Sequence, residues 1–252
     1  MLIQASELWR FRLSTADGAV GRVHDLQVDD RRWTVTDVVV GLGHWLTDRS
    51  VILSPAAVVK LDEPRRSLRV SLTADELARA PGLATHPSVA EQHYVPPYQY
   101  LGIPLMVGQL EAEDAGFPVA LLERKPDFAR TDWHLRSLRA LAHYRIEAEG
   151  GTAGWVEDWL VEPRDWTVAY VVVRVAFGST RRHVLLPVEW LGPISWTARV
   201  VYVGLAKDVI THAPDYRPGW LPDRDYEARL AAWYREPAVI GRSGSRDTKK
   251  GG

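Results

Sequence analysis

Histidines and carboxylates are the first residues to consider for catalysis or metal binding in this chain. The eight histidines are His24, His44, His86, His93, His134, His143, His183 and His212. No two of them have the His-x-x-x-His spacing that holds zinc from one face of a helix. The chain has no cysteine, which excludes disulfides, thiolate metal sites and cysteine nucleophiles. The sequence therefore predicts no metal site and no cofactor.

The adjacent residues His24 and Asp25 have the composition of a general acid–base pair. A second copy of this stretch, described below, has Glu157 and Asp158 at these positions, so only the carboxylate is retained. We expect that carboxylate to cap a turn or to bind backbone N–H groups in both copies. The sequence contains no phosphate loop and no Gly-x-Ser-x-Gly elbow. It predicts a protein that is not an enzyme, with a hydrolytic enzyme as the weakest alternative.

Charge and hydropathy limit the partners of the protein. The net charge is −1, which gives no overall field to attract nucleic acid. The Arg-Arg pairs at 31–32, 65–66 and 181–182 are offset by acidic residues such as Asp29 and Asp62. Nucleic acid binding is therefore not expected, although a ribosome- or RNA-maturation-associated factor remains an alternative. No run approaches 18 apolar residues, so we expect a cytoplasmic protein without a transmembrane segment.

Two stretches of this chain share much of their sequence. VGRVHDLQVDDRRWTVTDVVV begins at Val20, AGWVEDWLVEPRDWTVAYVVV begins at Ala153, and they agree at 11 of 21 positions without a gap. The same offset of 133 positions gives 26 identities between residues 2–104 and 135–237. A period of this length indicates a duplicated domain, because solenoid repeats run about 20–50 residues.

Within each copy the apolar residues follow the period of β-strands. WTVTDVVVG and WTVAYVVVRVAF are β-branched runs typical of buried strands, and RSVILS and RHVLLP each predict a further short strand. Gly18 and Gly151 lie in turns before a strand, and we expect a positive φ at one of them at least. Five or six short strands with tight turns favour a small antiparallel barrel, which closes to protect its edges.

The predicted fold is mostly β, with two tandem small antiparallel β-barrels and short helices after each. Thr73 and Glu76 have capping-box spacing, and DYEARLAAWYRE from Asp225 predicts a helix with Leu230, Trp233 and Tyr234 on one face. The predicted divisions are a first unit at 1–104, a linker at 105–134, a second unit at 135–237 and a disordered tail at 238–252.

The shared residues resemble the pattern of the PRC-barrel family. That pattern is Gly-x-x-x-Gly-x-Val-x-Asp-x-x-Val-Asp, a turn, Trp-x-Val-x-x-Val-Val-Val and then Arg-x-Val-x-Leu. In the first copy its opening part is Gly18, Gly21, Val23, Asp25, Val28 and Asp29, and in the second it is Gly151, Gly154, Val156, Asp158 and Val161, with Glu162 in place of the second Asp. The segment DYEARLAAWYREP is also similar to the tyrosine-rich segment that often follows such a barrel in tandem proteins.

The resemblance implies a β-barrel that docks onto a protein complex and does not catalyse a reaction. The family takes in the cytoplasmic domain of the photosynthetic reaction centre H subunit and the C-terminal domain of a ribosome-maturation factor. We therefore expect a covalent pseudo-dimer of PRC barrels that acts as a binding or assembly module. Its partner would be a protein complex, with photosynthetic or membrane-associated complexes as one class.

Tryptophan is unevenly divided between the two copies. The second copy has Trp155, Trp159, Trp190 and Trp196 where the first has Arg22, Leu26, Ala57 and Glu63. The favoured explanation is that these rings pack against the other barrel, the linker or a second copy in a homodimer. Otherwise the four tryptophans form a partner-binding surface, since Trp is enriched at binding hot spots.

Overall fold

The computed structural model of this chain describes residues 2–42, 49–83, 88, 134–177 and 180–235. The predicted boundary at 104, residues 105–133 of the predicted linker at 105–134, and the predicted tail at 238–252 lie outside the described residues. The described fold is mostly β, as the sequence predicts. Within the same residues, no helix is long and apolar enough to cross a membrane.

Each copy of the repeat forms a set of strands. The described strands of the first unit are β1 (Ile3–Gln4), β2 (Arg12–Thr15), β3 (Gly18–Asp29), β4 (Thr34–Leu42), β5 (Arg49–Leu53), β6 (Val58–Asp62) and β7 (Ser67–Val70). Those of the second unit are β8 (Leu135–Ser137), β9 (Arg145–Glu149), β10 (Gly151–Glu162), β11 (Thr167–Phe177), β12 (Thr180–Pro187), β13 (Leu191–Ser195), β14 (Val200–Ala206) and β15 (Asp215–Tyr216).

The two units have the same strand order. It runs β5-β4-β3-β2-β7-β6 in the first unit and β12-β11-β10-β9-β14-β13 in the second. Neighbours are antiparallel except for β2 with β7 and β9 with β14, which are parallel. The sheet is therefore mixed, and the prediction of purely antiparallel units needs correction. The reason is that the strand near the start of each unit runs alongside a late strand in the same direction.

All 15 described strands belong to one hydrogen-bonded sheet. The two units are joined in this sheet where Thr34 of β4 pairs with Thr167 of β11. The path ends at β6 on one side and at β13 on the other, so the ladder is not closed. The separate closed barrels expected from the sequence are not seen in this pairing, because the outer strands of each unit do not pair with each other among the described residues: β5 does not pair with β6, and β12 does not pair with β13.

Short helices and turns complete each unit. The described α-helices are α1 (Ala5–Leu8), α2 (Ala74–Ala78), α3 (Lys207–Thr211) and α4 (Arg224–Arg235), and 3-10 turns lie at Pro55–Ala57 and Val188–Trp190. The predicted capping box begins α2: the Glu76 N–H donates to Thr73 Oγ1 at 3.3 Å, and the Thr73 N–H donates to Glu76 Oε2 at 2.8 Å. These bonds satisfy N–H groups that a helix start leaves unpaired.

Helix α4 is the predicted C-terminal helix and packs on the second unit. Leu230 and Tyr234 are buried, and the Tyr234 hydroxyl donates to the Leu185 carbonyl at 2.9 Å. The Trp233 indole N–H donates to the Val209 carbonyl, also at 2.9 Å. The face predicted from the sequence therefore is the face that packs, and its polar atoms have partners.

The hydrophobic core runs through both units without a break. Its centre is formed by valines and leucines of the longest strands, which are buried on β3, β4, β10, β11 and β12. The fully buried valines of β4 and β11 include Val38, Val40, Val171, Val172 and Val173. The β-branched runs seen in the sequence thus form the shared interior, as expected for strands covered on both faces.

Candidate docking site at the junction of the two units

The junction is built on a pair of equivalent residues. The Val35 N–H donates to the Trp166 carbonyl and the Val168 N–H donates to the Trp33 carbonyl, both at 2.7 Å. Trp33 and Trp166 are equivalent under the 133-residue offset, and their φ angles are 52° and 55°. Two non-glycine residues in this sparsely populated region indicate that the hairpin turns are held in place by packing on both sides.

Each unit also lends a short strand to the other. β1 pairs with β10, where Ile3 lies opposite Val161. β8 pairs with β3, where Arg136 lies opposite Val28. The 133-residue offset converts the first pair into the second, so the exchange is reciprocal. It is the arrangement of a symmetric two-fold dimer, carried here within one chain.

Asp158 fixes one of these exchanged segments. Its carboxylate accepts hydrogen bonds from the Ser6 N–H at 3.2 Å, the Trp159 N–H at 2.8 Å and the Ser6 hydroxyl. Ser6 belongs to α1, which follows β1 of the first unit. Burial raises the pKa of the Asp158 carboxyl, against the opposing effect of these hydrogen bonds. The residue therefore joins the two units from a largely desolvated position.

Asp25 makes the equivalent connection in the opposite direction. Its carboxylate accepts from the Leu26 N–H at 2.8 Å and from the Arg139 N–H at 3.1 Å, and the Ser137 hydroxyl donates to its other oxygen. Ser6 and Arg139 are equivalent under the offset, so the backbone donors correspond. Both aspartates bind backbone N–H groups, which is the arrangement expected from their retention in both copies.

The glycines of the shared motif have two separate uses. Gly18 and Gly151 have φ angles of 133° and 113°, so the positive φ expected before each strand is present. A Cβ on Gly21 would lie 2.7 Å from the Gly41 carbonyl oxygen, and one on Gly154 would lie 2.5 Å from the Arg174 oxygen. The first two glycines permit a turn, and the second two permit close approach of neighbouring strands.

Trp159 lies in the interior between the units. Its side chain is only 1% exposed and stacks on Trp33 of the first unit, with ring centroids 5.1 Å apart. Its indole N–H has no hydrogen-bond partner among the described residues. In this chain Trp159 therefore packs against the other unit and does not reach the outer surface.

Trp155, Trp190 and Trp196 are half-buried. The Arg174 guanidinium lies 5.3 Å from the ring centroid of Trp155, and its Nε lies 2.9 Å from Glu157 Oε2. Trp190 and Trp196 pack against the core. The structure thus covers each of these rings in part with the chain's own residues, and whether the uncovered parts bind a partner stays a prediction.

A different tryptophan is the most exposed of the described large apolar residues. Trp220 is 65% exposed, and the neighbouring Leu221 is 46% exposed. Both lie in the loop between β15 and α4. Trp220 is not among the tryptophans singled out from the sequence, although its setting in RPGWLPD between two prolines is typical of an exposed turn.

Hydrogen bonds hold the loop of Trp220 in place. The Tyr216 hydroxyl donates to the Trp220 carbonyl at 2.8 Å, and the Gly219 N–H donates to Gln4 Oε1 at 3.1 Å. The Arg217 guanidinium lies 5.1 Å from the centroid of the Trp220 ring. Burial, with a further contribution from the Asp158 charge, raises the pKa of Tyr216 to about 12, so its hydroxyl keeps the proton it donates. The loop presents its apolar side chains from a fixed backbone.

A groove of about 520 Å³ lies beside the junction, and we refer to it as the junction groove. Its walls come from the start of β4, from residues 54–61 including β6, and from the turn at 163–166 of the second unit. Lys60, Arg164 and Asp165 line it together with apolar residues such as Val58 and Trp166. Hydrogen bonds from Thr167 hold the pKa of Asp165 below its usual value, so this carboxylate is ionised and already bonded.

In comparisons with known proteins, no protein-family model matches the chain, and no curated protein matches it significantly. Among the residues that the structure describes, there is no group of three or more His, Cys, Asp or Glu side chains placed to hold a metal ion. Two separate features of the described residues could contact a partner: the loop of Trp220 and Leu221, and the junction groove.

Proposed function

We propose that this protein is a non-catalytic docking and assembly module, built as a covalent pseudo-dimer of two PRC-barrel-like units. The identical strand order of the units and the reciprocal exchange of β1 and β8 support this arrangement. The two aspartate connections give the units a fixed relative position. A rigid pair of units is suited to present several surfaces to one partner.

The observation that carries the docking function is the exposure of Trp220 and Leu221 on a tethered loop. Burying a whole Trp removes on the order of 200 Å² from water, and 65% of that area is still available on Trp220. At about 25 cal/mol per Å², covering it contributes roughly 3 kcal/mol. Since the loop backbone is already fixed, little of that gain is lost to ordering.

The partner that fits such an anchor is a protein with an apolar pocket, because Trp-centred contacts dominate protein–protein hot spots. The family resemblance points to a multisubunit complex, photosynthetic or membrane-associated, as the place where the module docks. The ribosome-maturation alternative predicts ribosomal proteins or RNA as the partners. The capture experiment described next distinguishes these partners from a photosynthetic or membrane-associated complex.

The test is affinity capture on the immobilised full chain, followed by binding measurements with the purified partner. We compare the wild-type chain, the double variant Trp220→Ala/Leu221→Ala and the control Tyr202→Ala, which removes an exposed ring from β14 (45% exposed). We expect a discrete protein complex that the wild type and the control bind equally. The double variant should bind it at least tenfold more weakly while keeping its thermal stability.

Two results would change the conclusion. If the wild-type chain recovers ribosomal proteins or RNA and the double variant does not, the ribosome-associated alternative is supported. Equal binding of every partner by the double variant and the wild type would show that the loop of Trp220 is not a docking surface.

A further inference from the structure

Three arginines share the outer side of neighbouring strands in the first unit. Arg12 of β2 lies directly opposite Arg22 of β3, and Arg69 of β7 lies opposite Ser14, two residues from Arg12. Directly opposite residues, and residues two apart on one strand, project from the same side of a sheet. The three arginines are exposed, whereas Leu13, which alternates with them, is buried. We refer to Arg12, Arg22 and Arg69 as the basic face.

The guanidinium groups of the basic face have no acidic partner. Among the described residues, none of the three forms an ion pair. Glu7 lies 3.0 Å from Arg10 and 3.6 Å from Arg66, whose carbonyl accepts the Arg12 N–H, so this carboxylate is already shared by two other cations. Asp62 also lies within 4.0 Å of two cations. Like charges directly opposite each other on a sheet are destabilising, and a bound anion would remove this cost.

The excess of positive charge is particular to the first unit. Residues 5–22 and 60–70, which contain the basic face, carry seven Arg or Lys and four Asp or Glu side chains. The equivalent residues 138–155 and 193–203 carry only three Arg or Lys and two Asp or Glu side chains. The cations therefore exceed the carboxylates by three in the first unit and by one in the second.

The same side of the sheet carries aromatic rings in the second unit. Trp155 is equivalent to Arg22, and Tyr202 is equivalent to Arg69, whereas the residue equivalent to Arg12 is again an arginine. Since its neighbours are rings, the repulsion between adjacent arginines is absent there. The fold therefore does not require the basic face, and the two units have diverged at an exposed surface.

The basic face adjoins the loop of Trp220 through α1. The Gly219 N–H of that loop donates to Gln4 Oε1 at 3.1 Å, and Gln4 directly precedes α1. Glu7 of α1 lies 3.6 Å from Arg66, in the turn before β7. Three Cα steps of about 3.8 Å separate Gln4 from Glu7, so these two residues are at most about 11 Å apart. An interface of ordinary size can therefore cover the loop and the basic face together.

The charge pattern fits a protein surface better than RNA or an anionic membrane. The carboxylates of Glu7, Asp62 and Glu63 lie among the cations around the basic face. RNA and anionic lipids present only negative charge and would be repelled by these acids. A protein can place a carboxylate opposite each guanidinium and a cation opposite each acid. An apolar centre with a charged rim is also the ordinary composition of a protein–protein interface.

From the unpaired arginines, their replacement in the second unit and the adjoining apolar loop, we infer that the docked partner is a protein with an acidic surface beside the pocket that receives Trp220. Carboxylates of that surface pair with Arg12, Arg22 and Arg69. This inference rests on the proposed docking function and adds the charge of the partner to it. The basic face acts mainly on association, because charges at the rim of an interface steer the encounter of the two proteins.

The first test measures association and dissociation rates with the partner purified by capture on the wild-type chain. The face variant is Arg12→Gln/Arg22→Gln/Arg69→Gln. At about 50 mM NaCl we expect it to lower the association rate constant at least tenfold and to leave the dissociation rate constant within about threefold. At about 500 mM NaCl its association rate constant should be within about threefold of the wild type, because salt screens exposed charges.

Two other variants separate the basic face from total charge and from the apolar anchor. The control variant Arg32→Gln/Arg164→Gln/Arg235→Gln removes three exposed arginines outside the basic face and should change neither rate constant by more than about twofold. Trp220→Ala/Leu221→Ala should act in the opposite manner to the face variant. It should raise the dissociation rate constant and leave the salt dependence of association unchanged.

The second test needs no captured partner. The probe is a peptide of five Glu-Glu-Lys-Gly repeats, and its charge-reversed control has five Lys-Lys-Glu-Gly repeats. Hexauridylate, which has the same net charge as the probe, and vesicles containing phosphatidylserine represent RNA and membrane. By NMR at about 20 mM NaCl, the wild-type chain should bind the acidic peptide with Kd below about 1 mM, at least tenfold more tightly than the reversed peptide and more tightly than hexauridylate. The face variant should lose this preference, and the control variant should keep it.

The inference is overturned if the face and control variants change the association rate equally, or if the wild-type chain binds both peptides equally. Tighter binding of hexauridylate or of the vesicles than of the acidic peptide would also overturn it and would show a phosphate-binding face. If a captured partner depends on Trp220 and Leu221 but not on the three arginines, the inference is wrong and the docking function stands. If no partner is captured and the acidic peptide binds through the arginines, the acidic ligand of the basic face stands and the anchoring role of Trp220 is wrong.

Discussion

Asp158 offers the sharpest test of how the two units are held together. Replacing it with Ala removes the acceptor for the buried backbone N–H of Trp159, which lies 2.8 Å away. It also removes the acceptor for the backbone N–H and the hydroxyl of Ser6. A buried donor without a partner costs about 1–3 kcal/mol, and the half-buried donors of Ser6 add less because water can reach them. Asp158→Ala also removes a carboxylate whose burial is unfavourable, and this offsets part of the lost stability. We expect Asp158→Ala to lower the free energy of unfolding by about 1–3 kcal/mol at neutral pH.

The assay is urea unfolding followed by circular dichroism, with hydrogen exchange of the amides in α1. Asp25→Ala should cause a loss of similar size, because Asp25 makes the equivalent connection. Glu157→Ala is the neighbouring control. It removes only an exposed ion pair with Arg174 and should cost less than about 1 kcal/mol. Exchange in α1 should accelerate in Asp158→Ala and stay unchanged in Glu157→Ala.

A double-mutant cycle isolates the contact across the units. Ser6→Ala, Asp158→Ala and the double variant should give a coupling energy of about 1–2 kcal/mol, as expected for a hydrogen bond to a charged acceptor. A loss below about 0.5 kcal/mol for Asp158→Ala, with unchanged exchange in α1, would refute the idea that this carboxylate joins the units.

Three further changes test the turns, the strand approach and the buried charge. Gly151→Val should lower the free energy of unfolding by about 1–3 kcal/mol because the φ of Gly151 is 113°. The control Gly204→Val, at a strand position without positive φ, should cost less. Equal losses of the two variants in thermal unfolding would contradict this reasoning. Gly154→Ala should also cost about 1–3 kcal/mol, since its Cβ would lie 2.5 Å from the Arg174 oxygen, and a stabilised variant would show that the strands can separate freely. The folded state binds the Asp158 proton more tightly than the unfolded state, so the stability from this group is present below the ordinary pKa of 3.8 and is lost as pH rises through the raised pKa. Asp29, Glu76 and Asp165 have lowered pKa values and act in the opposite direction, so the quantity to measure is the stability of the wild type minus that of Asp158→Asn. This difference should decline between about pH 3.5 and 7.

The features that the sequence predicted correctly are those that depend on neighbouring residues. The β-branched runs became β4 and β11, Thr73 and Glu76 formed their capping box, and α4 packs the expected face. Positive φ at Gly18 and Gly151 followed from their turn positions. Strand period, capping and turn conformation are properties of a few consecutive residues, so one sequence is sufficient to predict them.

The duplication was also visible in the sequence, together with the retention of Asp25 and Asp158. Their donors were not, because Ser6 lies 152 positions from Asp158 and Arg139 lies 114 positions from Asp25. An acceptor that is retained in two copies shows that a donor is needed. It does not show which part of the chain supplies it.

The tertiary structure alone decided how the units combine. Exchange of β1 and β8, the parallel pairs and the single mixed sheet depend on which distant strands meet, and residue periodicity does not encode that choice. The tryptophans show the same limit, because Trp159 is buried against Trp33 whereas Trp220 is exposed. Residue type reports how much apolar area a side chain carries, and only the packing of both units determines whether that area is covered.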